Sequence, residues 1–168
     1  MLDPVESLQA TFPDAVLDVL HFRGETTVIV KAEQIVNICR HCRDTLGFNF
    51  LSDVAGVDYY PQEPRFGLAY HLYSMIDNQS LRLKIYLPGE NPVAPSITSV
   101  YPAANWQERE YYDLLGITFT DHPDLRRILM PDDWQGHPLR KDYPLGYETV
   151  QFTFNFDEIN KHKPYARE

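Results

Sequence analysis

The chain has 168 residues, 43% hydrophobic and 23% charged, the composition of one ordinary folded domain with room for a peripheral extension. A net charge of −9 and a pI near 5.0 exclude the basic surface that nucleic acid or an anionic lipid face requires. No apolar run reaches the length of a membrane span, the first residues lack the pattern of a secretory signal, and two cysteines supply neither a disulfide framework nor the four ligands of an iron–sulfur cluster.

Asp3-Pro4-Val5-Glu6 predicts a short helix, with Asp3 as cap, Pro4 at the first helical position and Glu6 returning the capping-box bond; Pro13 stops it. Residues 15–22 and 26–30 read as strands around a turn at Arg23-Gly24-Glu25. A second helix is expected over 32–46, because Ile35, Ile38, Cys39, Cys42 and Leu46 form an apolar stripe at helical spacing and Gly47 stands where a C-terminal glycine belongs. Strands follow at 49–57, 66–76 and 81–87, the last alternating Leu81, Leu83, Ile85 and Leu87 with Arg82, Lys84 and Tyr86. A hairpin turn is expected at 77–80. Residues 88–102 read as a proline-stiffened extended loop, and a third helix runs over 104–115 to Gly116.

Beyond Gly116, His122-Pro123, Met130-Pro131, His137-Pro138 and Tyr143-Pro144 punctuate a stretch without periodicity. In the tail, Phe152, Phe154 and Phe156 alternate with polar residues, so an extended conformation places the rings on one side. They suit either a last strand of the same domain or an arm along a neighbour, and the arm is preferred. The expected class is α+β: residues 1–118 form a small mixed or antiparallel sheet packed against helices, and 119–168 an irregular segment with an extended C-terminal arm.

Three constellations could carry chemistry. Cys39-Arg40-His41-Cys42 is a C-x-x-C, but it lies mid-helix on the apolar stripe, where a thiol gains nothing from a helix N-terminus. Packing is the preferred reading over redox or metal. His122 and His137 with nearby aspartates could be drawn as a metal-hydrolase site, yet their spacing fits no helical histidine pair, and both precede proline. Glu108, Arg109, Glu110 and Asp113, with Arg126, Arg127, Arg140, Lys141 and Asp142, set opposite charges among Trp106, Tyr111, Phe119, Ile128 and Trp134. That composition fits an interface as well as a solvated, ion-paired face. No glycine-rich nucleotide loop and no nucleophilic triad is recognisable.

The run Trp106-Gln107-Glu108-Arg109-Glu110-Tyr111-Tyr112-Asp113-Leu114-Leu115-Gly116-Ile117 leads to His122-Pro123-Asp124-Leu125-Arg126-Arg127-Ile128-Leu129, then to Gly136-His137-Pro138-Leu139-Arg140-Lys141-Asp142-Tyr143-Pro144. This pattern closely resembles the signature of the thirty-kilodalton-type subunit family of NADH:quinone oxidoreductase (respiratory complex I), which takes in the bacterial C-type and the chloroplast and cyanobacterial J-type subunits. The resemblance is strongest over 106–144 and carries nothing to the tail. It implies a cofactor-free scaffold subunit in the hydrophilic arm of a proton-translocating complex, working in electron transfer from NADH to quinone and not catalytic alone. Flavin, iron–sulfur clusters and quinone would reside in partner subunits. The implied neighbours are the large, hydrogenase-like D-type subunit and cluster-bearing subunits, on the cytoplasmic side of the cell membrane and peripheral to it. The signature residues, His122 and His137 among them, would serve docking or local folding. Related subunits occur in ferredoxin-linked quinone oxidoreductases and membrane-bound hydrogenase complexes, so the resemblance leaves the electron donor open.

Overall fold

The computed structural model describes residues 3–144, and the reading of Phe152, Phe154 and Phe156 lies outside the described residues. Helix α1 (Pro4–Thr11) starts where Asp3 accepts hydrogen bonds from the Val5 and Glu6 N–H groups at 2.8 and 3.1 Å. Strands β1 (Val16–Phe22) and β2 (Glu25–Val30) pair antiparallel. Their turn is Arg23-Gly24, both with positive φ (51° and 80°), as a twist-matched two-residue hairpin requires. Glu25, expected in the turn, instead pairs with Phe22.

The predicted helix over 32–46 begins as a single 3-10 turn, Ala32–Gln34, and becomes α2 at Ile35–Asp44. Ile35, Ile38, Cys39 and Cys42 are fully buried, as their spacing predicts. Strands β3 (Phe50–Asp58), β4 (Phe66–Ser74) and β5 (Gln79–Leu87) follow. The turn between β4 and β5 occupies Met75, Ile76, Asp77 and Asn78, earlier than expected. The Ser74 hydroxyl donates to Asp77 Oδ2 and accepts from the Asp77 N–H, which closes the chain before Ile76 can extend β4.

The sheet order is β1-β2-β5-β4-β3, antiparallel except for the β2–β5 pair, so the expected α+β class with a mixed sheet is what the chain adopts. Leu68, Tyr70 and Leu72 of β4 and Leu83 and Ile85 of β5 turn one way into the core against α1 and α2. Helix α3 (Ala104–Leu115) crosses β3, where Gly56 leaves room for the Tyr111 ring. The proline-rich stretch hides a strand that periodicity does not reveal: β6 (Val93–Pro95) pairs parallel with β7 (Thr118–Thr120). Its Ala94 and the following Ile97 are fully buried.

Candidate functional site

Helix α3 carries ionisable groups on its inner side. Glu108 and Asp113 are fully buried and Arg109 nearly so. Glu108 accepts from the Ser96 hydroxyl at 2.6 Å and the Ile97 N–H at 2.8 Å, tying α3 to the loop after β6. Burial pushes its pKa up to about 7, against the lowering effect of those two donors. Asp113 faces a different surrounding. Its Oδ2 accepts the N–H groups of Ile128, Leu129 and Met130, and its Oδ1 accepts from Arg127 at 2.6 Å. Burial alone would raise its pKa, but the four donors win and hold it below the ordinary carboxylate value.

The segment after β7 serves as an external cap for α3. A helix leaves its last carbonyls without intrahelical partners, and α3 has no cation in its own last turn. Here the His137 Nδ1 meets the Asp113 carbonyl at 2.8 Å, the Leu139 N–H donates to the Leu114 carbonyl, and the Arg140 Nε donates to the Leu115 carbonyl at 2.6 Å. Arg109 works in the opposite direction and donates to the Arg126 and Arg127 carbonyls. Gly116, at φ 73°, is the pivot. A Cβ there would lie 2.5 Å from both Arg140 and His137.

A second cluster locks the far end of the segment. Arg65 donates through two nitrogens to both oxygens of Asp58, at 2.9 and 2.8 Å, and to Asp142 at 2.9 and 2.6 Å. Asp58 also accepts the Lys141 N–H, and its pKa is held at about 2: burial acts upward, but Arg65 and the backbone donors outweigh it. The Arg65 guanidinium lies 4.9 Å from the centres of the Tyr60 and Phe66 rings, and Arg140 stands 5.4 Å from that of Phe66.

The structure therefore joins each of Glu108, Arg109, Asp113, Arg127, His137, Arg140 and Asp142 to the chain's own groups, with Asp113, Arg127, His137 and Arg140 together at the end of α3, Glu108 bound to the loop after β6 and Asp142 bound to Arg65. Glu108 and Asp113 face inward, whereas Arg126, Lys141 and Asp142 are exposed and Glu110 is half-buried. The two histidines do not meet. His122 Nδ1 accepts the Asp124 N–H, which leaves the Nε2 proton for the Asn105 carbonyl near the start of α3, while His137 sits at its end. At 1.5 Å per residue, Asn105 and Asp113 are separated by about 12 Å along the helix. Among the described residues no group of His, Cys, Asp or Glu is placed to hold a metal ion. Cys39 and Cys42 are buried free thiols, with burial pushing Cys42 up to about 12 and Cys39 well above its ordinary value. Sequence reasoning missed Asp58, Arg65 and Ser96. Opposite charges at the adjoining ends of two neighbouring strands were the signal for the first two.

The fold and this internally bound segment define a small α+β domain whose polar signature organises its own chain around one helix end. Residues 28–149 match the family described as respiratory-chain NADH dehydrogenase, 30 Kd subunit. The chain belongs to that family. It is 52% identical over 166 residues to the C-type subunit of NADH-quinone oxidoreductase from Roseiflexus sp. (strain RS-1), covering 98% of this chain and 95% of the relative. The corresponding protein of Geobacter metallireducens is 53% identical over 84% of this chain and 88% of its own. Among solved structures, the trypsin-resistant fragment of Nqo5 is 32% identical with a TM-score of 0.64, covering 73% of this chain and all of that one. A chain of the membrane-bound sulfane sulfur reductase, an archaeal respiratory membrane complex, shares the fold with a TM-score of 0.72 at 24% identity, covering 84% of each.

Proposed function

We propose that this chain is a structural subunit, without a cofactor of its own, of a proton-translocating NADH:quinone oxidoreductase. In this reading it braces the hydrophilic arm near the quinone-side module and supports electron transfer from NADH through iron–sulfur clusters of other subunits. It sits beside the large, hydrogenase-like D-type subunit, peripheral to the cytoplasmic side of the membrane. Family membership supports the assembly. The observation that supports a bracing role is that the buried signature side chains bind the chain's own backbone, with Asp113 collecting three N–H groups and Arg127. No helix among the described residues is long and apolar enough to cross a membrane. The test is isolation of the native assembly. The chain should co-isolate with NADH-, flavin- and cluster-bearing subunits, and purified alone it should be colourless and metal-free. Stoichiometric iron, zinc or flavin in the isolated chain would overturn the cofactor-free role.

A second reading is a homologous subunit of a ferredoxin-linked quinone oxidoreductase or a membrane-bound hydrogenase complex, favoured by the fold shared with a differently named archaeal respiratory complex. Co-isolation with a ferredoxin- or hydrogen-reacting subunit in place of a flavin-bearing one decides for it. A free-standing metal hydrolase is disfavoured by the separation of His122 from His137 along α3.

A further inference from the structure

The sheet face turned away from the core has a distinct build. Paired residues place Ala55, Ala69, Lys84 and Ile29 in one row across the strands, with Val57 and Gly67 on one side and Arg82, Thr27 and Leu20 on the other. The result is a groove of about 310 Å³ whose lining comes from the strands and Tyr59, with no helix residue among the described residues. Its floor is small, Ala55 on the edge strand β3 and its partner Ala69 on β4. Its rim is apolar and open to water, with Leu20 48%, Phe22 68% and Val57 41% exposed. Its cation is held in place: Lys84 Nζ donates to the Tyr59 hydroxyl at 2.9 Å and stands 5.2 and 4.7 Å from the Tyr59 and Tyr86 ring centres.

Resting on the reading of the chain as one member of a larger assembly, we propose that this groove docks an amphipathic helix of another subunit. The helix lies over Ala55 and Ala69, with its apolar stripe between the two rims and a carboxylate at Lys84. The small side chains of Ala55 and Ala69 leave depth in the groove for another backbone to come close, whereas the space over Gly67 is taken by Tyr59. The occupant is a helix because an added strand pairs in the plane of the sheet, at the open edge of β3, and not across its face, where Ala55 and Ala69 offer no free backbone groups. A helix satisfies its own backbone. The carboxylate follows from charge: Arg82 already holds Glu25 at 2.5 Å, whereas among the described residues Lys84 meets the rings and hydroxyls of Tyr59 and Tyr86 and no carboxylate. A second copy of this chain would bring another net charge of −9. The last described residues are held away from the groove: Asp142 is anchored on Arg65 beside buried Asp58, and none of the three lines it.

The experiment uses the full chain in its co-isolated assembly, with a photo-crosslinking benzoylphenylalanine in place of Leu20 or Val57 and a control at exposed Glu33. Both rim positions should crosslink to one stretch of one other subunit, apolar at helical spacing and carrying Asp or Glu, and the control should not. Crosslinks to residues 145–168, to a second copy, or to nothing in an assembled complex would overturn the proposal and leave membership of the assembly intact. A chain that co-isolates with no other subunit overturns both. Independently, Ala69→Trp should lower the co-isolated partner about tenfold. Lys84→Glu should weaken it and Lys84→Arg should restore it, with the melting temperature of the free chain unchanged. Normal assembly of an Ala69→Trp chain that melts like the parent also counts against the groove.

Discussion

Asp113 and Glu108 lie five residues apart on α3, are equally buried, and respond to pH in opposite senses. Removing Asp113 leaves Arg127 and three N–H groups without their acceptor, so Asp113→Ala should cost about 3–5 kcal/mol, read from the denaturant midpoint. A loss below about 1 kcal/mol would show the segment to be held by other contacts. Because the folded pKa of Asp113 is lowered, its contribution is present at neutral pH and fades as acid takes the pH down through the folded value. Glu108 is raised to about 7, so the folded state binds its proton more tightly than the unfolded chain. Its contribution is fully present below the unfolded value near 4.5 and is lost as pH climbs toward 7, with a slope of at most about 1.4 kcal/mol per unit. The ionisable groups around it are His122, whose Nε2 stands 3.9 Å away, with Tyr70 and Cys39 also within electrostatic reach. Glu108→Gln should remove this slope and be at least as stable as the parent at pH 8. An unchanged stability–pH curve would refute the assignment.

At the scale of the element, α3 is finished by residues that arrive more than twenty positions later. Gly116→Ala puts a Cβ into Arg140 and His137 and forces a side chain into the left-handed region. It should cost about 2 kcal/mol or more, measured as a lowered melting temperature. Arg127→Ala and Arg140→Ala remove cations from the negative end of the helix and free its carbonyls. Both should speed proteolysis within 121–144 and reduce assembled complex, while activity per assembled complex changes less. A variant that assembles normally yet passes no electrons would mean that these arginines act in the chemistry.

For the whole molecule, α2 is the test of the core. Its thiols sit at zero exposure among Ile35, Ile38, Phe48 and Leu51, and their raised pKa values keep them protonated. Native protein should resist alkylation that is complete in denaturant, and replacing each cysteine by Ala should cost about 1–2 kcal/mol. Rapid native labelling would mean that α2 opens or that the pair is functional. Acid should weaken both ends of the 121–144 segment together, because Asp58, held at about 2, and Asp113 both lose their charge-assisted bonds there.

Local rules were enough for the elements they govern. The stripe on α2, the alternation of β5 and the stop at Gly116 are properties of neighbouring residues, so periodicity and backbone conformation sufficed to read them. The signature was likewise legible as a pattern, and with it the family. What it does inside the molecule was not. Its charges read as surface or interface groups because hydropathy alone cannot distinguish a solvated aspartate from one such as Asp113 that accepts four donors in the interior. The strand β6 escaped because its partner β7 lies more than twenty residues further on and prolines mask its pattern. The parallel β2–β5 pair and the Arg65–Asp142 bond, spanning 77 residues, are likewise long-range choices. Such contacts are selected by the total burial and hydrogen bonding of the finished fold, which no local stretch of sequence expresses.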